Sequence, residues 1–128
     1  MPAHNQKQNF SLTDIYEKIS LLETRQAYLY LLANSARLKG YHTNSSGAGD
    51  KKHFGYWNGN SYQFAFIGNA SWLLFYFRIP LFESYPNSKA ETLLKYPNAV
   101  ENEKGELTIK ITTLLEAQEL QQFVESLI

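Results

Sequence analysis

The sequence predicts an α+β fold, a two-layer sandwich with a mainly antiparallel four-stranded sheet and the N- and C-terminal helices on one of its faces. Three observations predict it. Residues 51–79 alternate apolar and aromatic side chains around two turn signals, Asn58-Gly59 and Gly68-Asn69. Residues 106–112 alternate again. Apolar residues at helical spacing flank both stretches, near the start and at the end of the chain. Strands joined in sequence by tight turns form an antiparallel meander, and helices grouped outside that run cover one side of it.

Residues 1–10, MPAHNQKQNF, are polar and read as a flexible tail ahead of one domain over 11–128. Ser11-Leu12-Thr13-Asp14 has the form of a helix start, with Ser11 accepting backbone N–H bonds. Leu12, Ile15, Ile19 and Leu22 follow at helical spacing. The polar Glu23–Gln26 is either an exposed turn of one long helix or a break into two. Tyr28–Ala33 is apolar all round, which predicts burial on more than one side. Arg37 and Lys39 suit a helix C-terminus, and Gly40 suits the residue just past it. Tyr41–Lys52 has loop composition, and loops of that length are usually functional or disordered.

Within the meander, Asn58-Gly59 fits a type I′ turn and Gly68-Asn69 a type II′ turn. Two-residue loops at both places set Trp57 opposite Asn60 and Ile67 opposite Ala70. Straight alternation then sends Trp57, Tyr62, Phe64, Phe66, Leu73, Phe75, Phe77 and Ile79 to the core face. Lys52, Phe54, Tyr56, Gln63, Ala65, Trp72, Leu74, Tyr76 and Arg78 fall on the other. Leu81–Asn87 reads as irregular chain between two prolines, and Ser88 opens a short helix that Pro97 stops near Lys95. Glu106–Thr112 is the fourth strand. Thr113-x-x-Glu116 is a capping box, and Leu120, Phe123, Val124 and Leu127 give the closing helix one apolar stripe.

Composition narrows the function. A chain of 128 residues is one domain. It has no cysteine, which excludes disulfides, thiolate nucleophiles and cysteine metal sites. The N-terminus lacks the apolar core of a signal peptide, and no apolar run reaches spanning length, so a soluble cytoplasmic protein without a membrane partner is expected. The net charge of zero hides an asymmetry. Residues 24–82 hold six basic side chains against one acid, whereas residues 83–128 hold eight Glu against four Lys. Either the basic part meets an anionic partner, or the basic middle lies beside the acidic tail.

The outer face of the meander carries the functional expectation. A solvated sheet face is normally polar, whereas this one is aromatic with cations at its margins. Lys51, Lys52, Phe54, Tyr56, Trp72, Tyr76 and Arg78 are the expected binding residues, acting with the 41–53 loop. They would serve a non-enzymatic binding or regulatory domain whose partner is a protein, a protein–nucleic-acid assembly or a second copy of the chain. Rings beside cations also stack bases and neutralise phosphate, so a DNA- or RNA-binding module is the alternative. A small nuclease or hydrolase using His42, His53 and Asp50 is the enzymatic one. No catalytic motif supports chemistry. Gly47-Ala48-Gly49 lacks the Gly-Lys-Ser/Thr ending of a phosphate-binding loop, and neither HExxH nor Gly-x-Ser-x-Gly occurs. Acids on neighbouring strands that would hold magnesium beside Asp50-Lys51-Lys52 are missing from the meander. No cofactor or metal is expected.

Overall fold

A computed structural model describes residues 12–46 and 52–128. Two helices come first, α1 (Leu12–Lys18) and α2 (Leu22–Asn34), the second running into a 3₁₀ turn at Ser35–Arg37. Four strands follow: β1 (Tyr41–Ser46), β2 (His53–Asn58), β3 (Ser61–Gly68) and β4 (Leu73–Phe77). Then come α3 (Ile79–Ser84), α4 (Ser88–Lys95), β5 (Val100–Glu101), β6 (Leu107–Ile111) and α5 (Leu114–Leu127). The strands form one sheet in the order β1-β2-β3-β4-β6-β5, with every neighbouring pair antiparallel. The result is a small single α+β domain.

The sheet has six strands rather than four. Tyr41–Ser46 is an edge strand paired along its length with β2, although its sequence reads as loop. An edge strand with one neighbour needs no apolar stripe, so period-two alternation does not mark it. β5 is a two-residue pairing with Thr108 and Leu107. Between α1 and α2 the chain breaks at Ile19–Leu21, where the Ser20 and Leu21 amides both donate to the Ala70 carbonyl, at 2.8 and 3.1 Å. The apolar Leu81–Phe82 stretch forms α3, entered through Pro80 in its first turn. Ile79 therefore belongs to that helix and not to the core face of β4. Ser11, expected to cap α1, lies outside the described residues.

Register is the larger correction. Asn58 pairs with Ser61, so the turn residues are Gly59-Asn60 with Gly59 at positive φ (61°), one position later than expected. Tyr56 pairs with Phe64 while Trp57 pairs with Tyr62, which leaves Gln63 as an extra residue in β3. This bulge reverses the faces on its two sides. Phe54 and Tyr56, expected outside, are 4% and 1% exposed in the core, and Trp57 and Tyr62, expected inside, leave it. Gln63 is buried and satisfied: the Tyr41 hydroxyl donates to its Oε1, and its Nε2 donates to Ser61 Oγ and Ser84 Oγ at 3.1 Å each. The β3–β4 loop holds four residues, Asn69–Trp72, rather than two. That shift is even, so Phe64, Phe66, Phe75 and Phe77 keep the faces expected of them.

The core gathers the sheet residues Phe54, Tyr56, Phe64, Phe66, Phe75 and Phe77 with Ile15, Tyr28, Leu31, Leu81, Leu120 and Val124 from the helices. Tyr28 meets Phe66 edge to face at 5.8 Å, and Phe123 meets Phe77 at 6.1 Å. Gly68 allows α1 this close, since a methyl group there would stand 2.9 Å from Ile15 Cγ2. The α5 capping box forms as expected, with Thr113 Oγ1 accepting from the Glu116 amide and the Glu116 carboxylate accepting from the Thr113 amide. Among the described residues, no helix is long and apolar enough to cross a membrane.

Candidate binding face

Among the described residues, the second face of the sheet contributes nothing to the core cluster. Trp57, Tyr62, Ala65, Ile67, Leu74 and Tyr76 lie on it, and none belongs to that cluster. A chain of contacts crosses it from β1 to the start of β6. His42 on β1 stacks on Trp57 of β2, with centroids 6.3 Å apart and planes at 15°. Trp57 stacks on Tyr62 of β3 at 4.6 Å and 7°. The Arg78 guanidinium, just past β4, sits 4.2 Å from the centre of the Tyr62 ring. Arg78 Nε donates to Glu106 Oε2 at 2.8 Å, just before β6, and Nη1 donates to the Tyr62 carbonyl at 2.7 Å.

Gly55 makes this arrangement possible. A methyl group at that position would lie 2.6 Å from Tyr62 Cε1 and 3.2 Å from Trp57 Nε1, so the two rings rest directly on bare backbone. His53, two residues earlier on the same face, stacks on Tyr62 at 5.7 Å. The Tyr62 ring is therefore built into the protein and is not a vacant stacking platform. Burial pushes its phenol up to about 12, with Arg78 pulling down and Glu106 pushing up. Burial also raises Tyr76, and Glu106 adds to that rise.

Beside this chain of contacts lies a depression of about 440 Å³. Ala65 and Ile67 line its apolar part, and Tyr76, Arg78, Lys104 and Glu106 bring polar groups to it. Glu106 is 5% exposed, and its two oxygens are occupied by Arg78 and by the Asn102 side-chain amide at 2.9 Å. Asn102 in turn accepts from the Lys104 and Glu106 amides at 3.0 Å each, which fixes the turn that carries Lys104. A second depression, of about 600 Å³, opens along the edge of β6 past the short β5. Leu74, Thr108 and Lys110 border it from the same face, with Lys95 and Val100 on the far side. The Lys110 ammonium stands 4.6 Å from the centre of a Trp72 ring system.

The expected binding residues are thus divided. Tyr76 and Arg78 meet at the first depression, and Trp72 lies near the second through its contact with Lys110. Phe54 and Tyr56 are interior, for the register reason given above. Lys52 pairs with Asp14 at 3.8 Å. Lys51 and Asp50 lie outside the described residues, as does most of the Gly/Ser loop. His42 and His53 do not converge. Their strands run antiparallel with His53 opposite Ser46, so His42 lies four positions away, about 13 Å at strand spacing. Among the described residues, no three His, Asp or Glu side chains stand close enough to share a metal ion.

Sequence reasoning missed Trp57, Tyr62, Lys104, Glu106 and Lys110 as members of this face. Two signals were present in the letters. An isolated glycine inside a strand marks a bulge or a close approach, and Gly55 is one. Gln63 is the polar interruption of an otherwise apolar strand. Compared with protein-family models, with curated proteins and with solved structures, the chain matches none of them.

Proposed function

We propose that the protein is a non-enzymatic binding or regulatory domain of the cytoplasm that engages a macromolecular partner through the outer face of its sheet. In this reading the helices form one layer over the sheet and the partner takes the place of a second. The partner is a protein, a protein–nucleic-acid assembly or another copy of the chain. The observation that carries the reading is the set of large rings and aliphatic side chains, Trp57, Tyr62, Ile67, Leu74 and Tyr76, on a face that, among the described residues, adds no side chain to the core cluster. Aromatic residues flanked by Arg and Lys are the types that anchor interfaces, and an apolar patch of that kind on a monomer commonly marks an interaction site.

A pull-down from native lysate, run with and without nuclease, tests it. The Trp72→Ala/Tyr76→Ala variant is expected to fold normally and lose the captured material. Full capture by that folded variant would contradict the reading. Sedimentation at low protein concentration separates self-association from capture of another molecule.

A further inference from the structure

Charge on this face is sorted in a way that neither composition nor segment totals display. The chain from residue 83 onward is acidic, with eight Glu and four Lys. Three of those four lysines, Lys95, Lys104 and Lys110, border the two depressions, whereas only one of the eight glutamates, Glu106, does so. That glutamate is already neutralised by Arg78. None of the three lysines has a carboxylate within ion-pair distance among the described residues. Lys104 and Lys110 therefore stand beside the rings of this face, and Lys95 reaches the second depression from α4.

The charged groups that face these depressions are nearly all donors. The Arg78 guanidinium and the ammonium groups of Lys95, Lys104 and Lys110 carry positive charge, the Tyr62 and Tyr76 hydroxyls can also donate, and both oxygens of the one carboxylate, Glu106, are engaged. A ligand that answers them brings negative oxygens. Tyr76 borders one depression and Leu74 the other, and they sit two residues apart on β4, about 7 Å at strand spacing. That is the reach between successive groups of a chain, and it places cations at both ends of a short track with one tyrosine ring between them.

We propose that the partner surface bound here is single-stranded nucleic acid, with phosphates on Lys95, Lys104 and Lys110 and bases entering the two depressions beside Tyr76. The proposal rests on the outer-face reading above and names the chemistry of its partner. A single strand is favoured over a duplex because its bases are free to enter hollows of a few hundred cubic ångströms, whereas paired bases are stacked away. It is favoured over an acidic peptide by the ring between the cations, which has a flat partner in a base and none in a carboxylate side chain.

The test is fluorescence anisotropy of a labelled oligothymidylate of about 12 nucleotides with the full chain, across a salt series. Three phosphate contacts predict a slope of log affinity against log salt near −2, or about a 16-fold loss between roughly 50 and 200 mM salt. Lys95→Gln/Lys110→Gln is expected to flatten that slope by about 1.4. Ala65→Leu, which fills the first depression without altering charge, is expected to weaken binding at least several-fold. Thermal melts of each variant exclude simple unfolding. A slope unchanged in the double lysine variant, or equal affinity for duplex DNA, would overturn the proposal. So would binding to polyglutamate without binding to the oligonucleotide, an outcome that leaves the outer-face reading standing. Pull-down capture that survives nuclease but fails in Trp72→Ala/Tyr76→Ala does the same, whereas capture unaffected by that variant removes the reading itself.

Discussion

Single residues on the outer face carry consequences out of proportion to their size. At Gly55 any side chain meets the Tyr62 ring at 2.6 Å, and that ring is held by Trp57, His53 and Arg78, so it has little room to retreat. Gly55→Val is expected to cost about 1–3 kcal/mol in urea unfolding, the range for overpacking, and to red-shift tryptophan emission as Trp57 loses its stacking partner. Arg78 is the second such position. Its partner Glu106 is 5% exposed, so Arg78→Ala leaves a buried carboxylate with only Asn102 as a ligand. Breaking a buried pair from one side costs about 3–5 kcal/mol, and part of that should return in Arg78→Met/Glu106→Gln, because the loss lies in the orphaned charge. Arg78 was legible as a cation of this face. Glu106 was not, because a glutamate at the start of a strand in an acidic segment gives no sign of being buried against an arginine from another strand.

At the scale of elements, helices with caps and strands with clean alternation were readable from the letters alone. The Thr113/Glu116 box is formed as written, and Thr113→Ala should cost about 1 kcal/mol of stability by chemical denaturation. The β6 pattern of Leu107, Ile109 and Ile111 likewise lies buried as its alternation implies. Reading failed where an element departs from regularity or has little to bury. β1 escaped because Tyr41–Ser46 is a polar edge strand held by backbone pairing to β2. Phe54 and Tyr56 were misplaced because one extra residue, Gln63, converts an inward position into an outward one, and alternation counted from a turn carries no marker of such an insertion. The same bulge delivers Trp57 and Tyr62 to the outer face, so the irregularity that defeated the reading also builds the surface. α2 is tied to two other elements by one hydroxyl: Thr24 Oγ1 lies 2.9 Å from the Thr112 carbonyl and 3.1 Å from the Ser71 carbonyl. Fully buried, it binds the helix to the end of β6 and to the β3–β4 loop.

For the molecule as a whole, tyrosines set the alkaline limit. Burial pushes Tyr41, Tyr62 and Tyr96 up to about 12, and raises Tyr28 and Tyr56 as well. A folded value above the unfolded one, near 10, means that the fold favours the neutral phenol. The corresponding stability is complete below pH of about 10 and is lost as pH climbs toward about 12. Denaturation midpoints should therefore hold steady through neutral pH and fall across that window, with tyrosinate absorbance rising together with loss of the far-ultraviolet helix signal. Charge is likewise a property of the whole fold. The segment totals pointed to a basic middle and an acidic end, yet folding places Lys104 from the acidic end beside Arg78 from the middle, and Lys95 and Lys110 at the second depression. The pairing of β6 with β4 sets Lys110 opposite Leu74.

The absence of cysteine allows a direct test of that face. A photo-crosslinker attached at Thr108→Cys on this face and, separately, at the exposed α5 position Glu119→Cys can be activated in native lysate. A discrete adduct from position 108 and none from position 119 is the result that the binding-face account predicts. Adducts from position 119 alone, or equally from both, would contradict it.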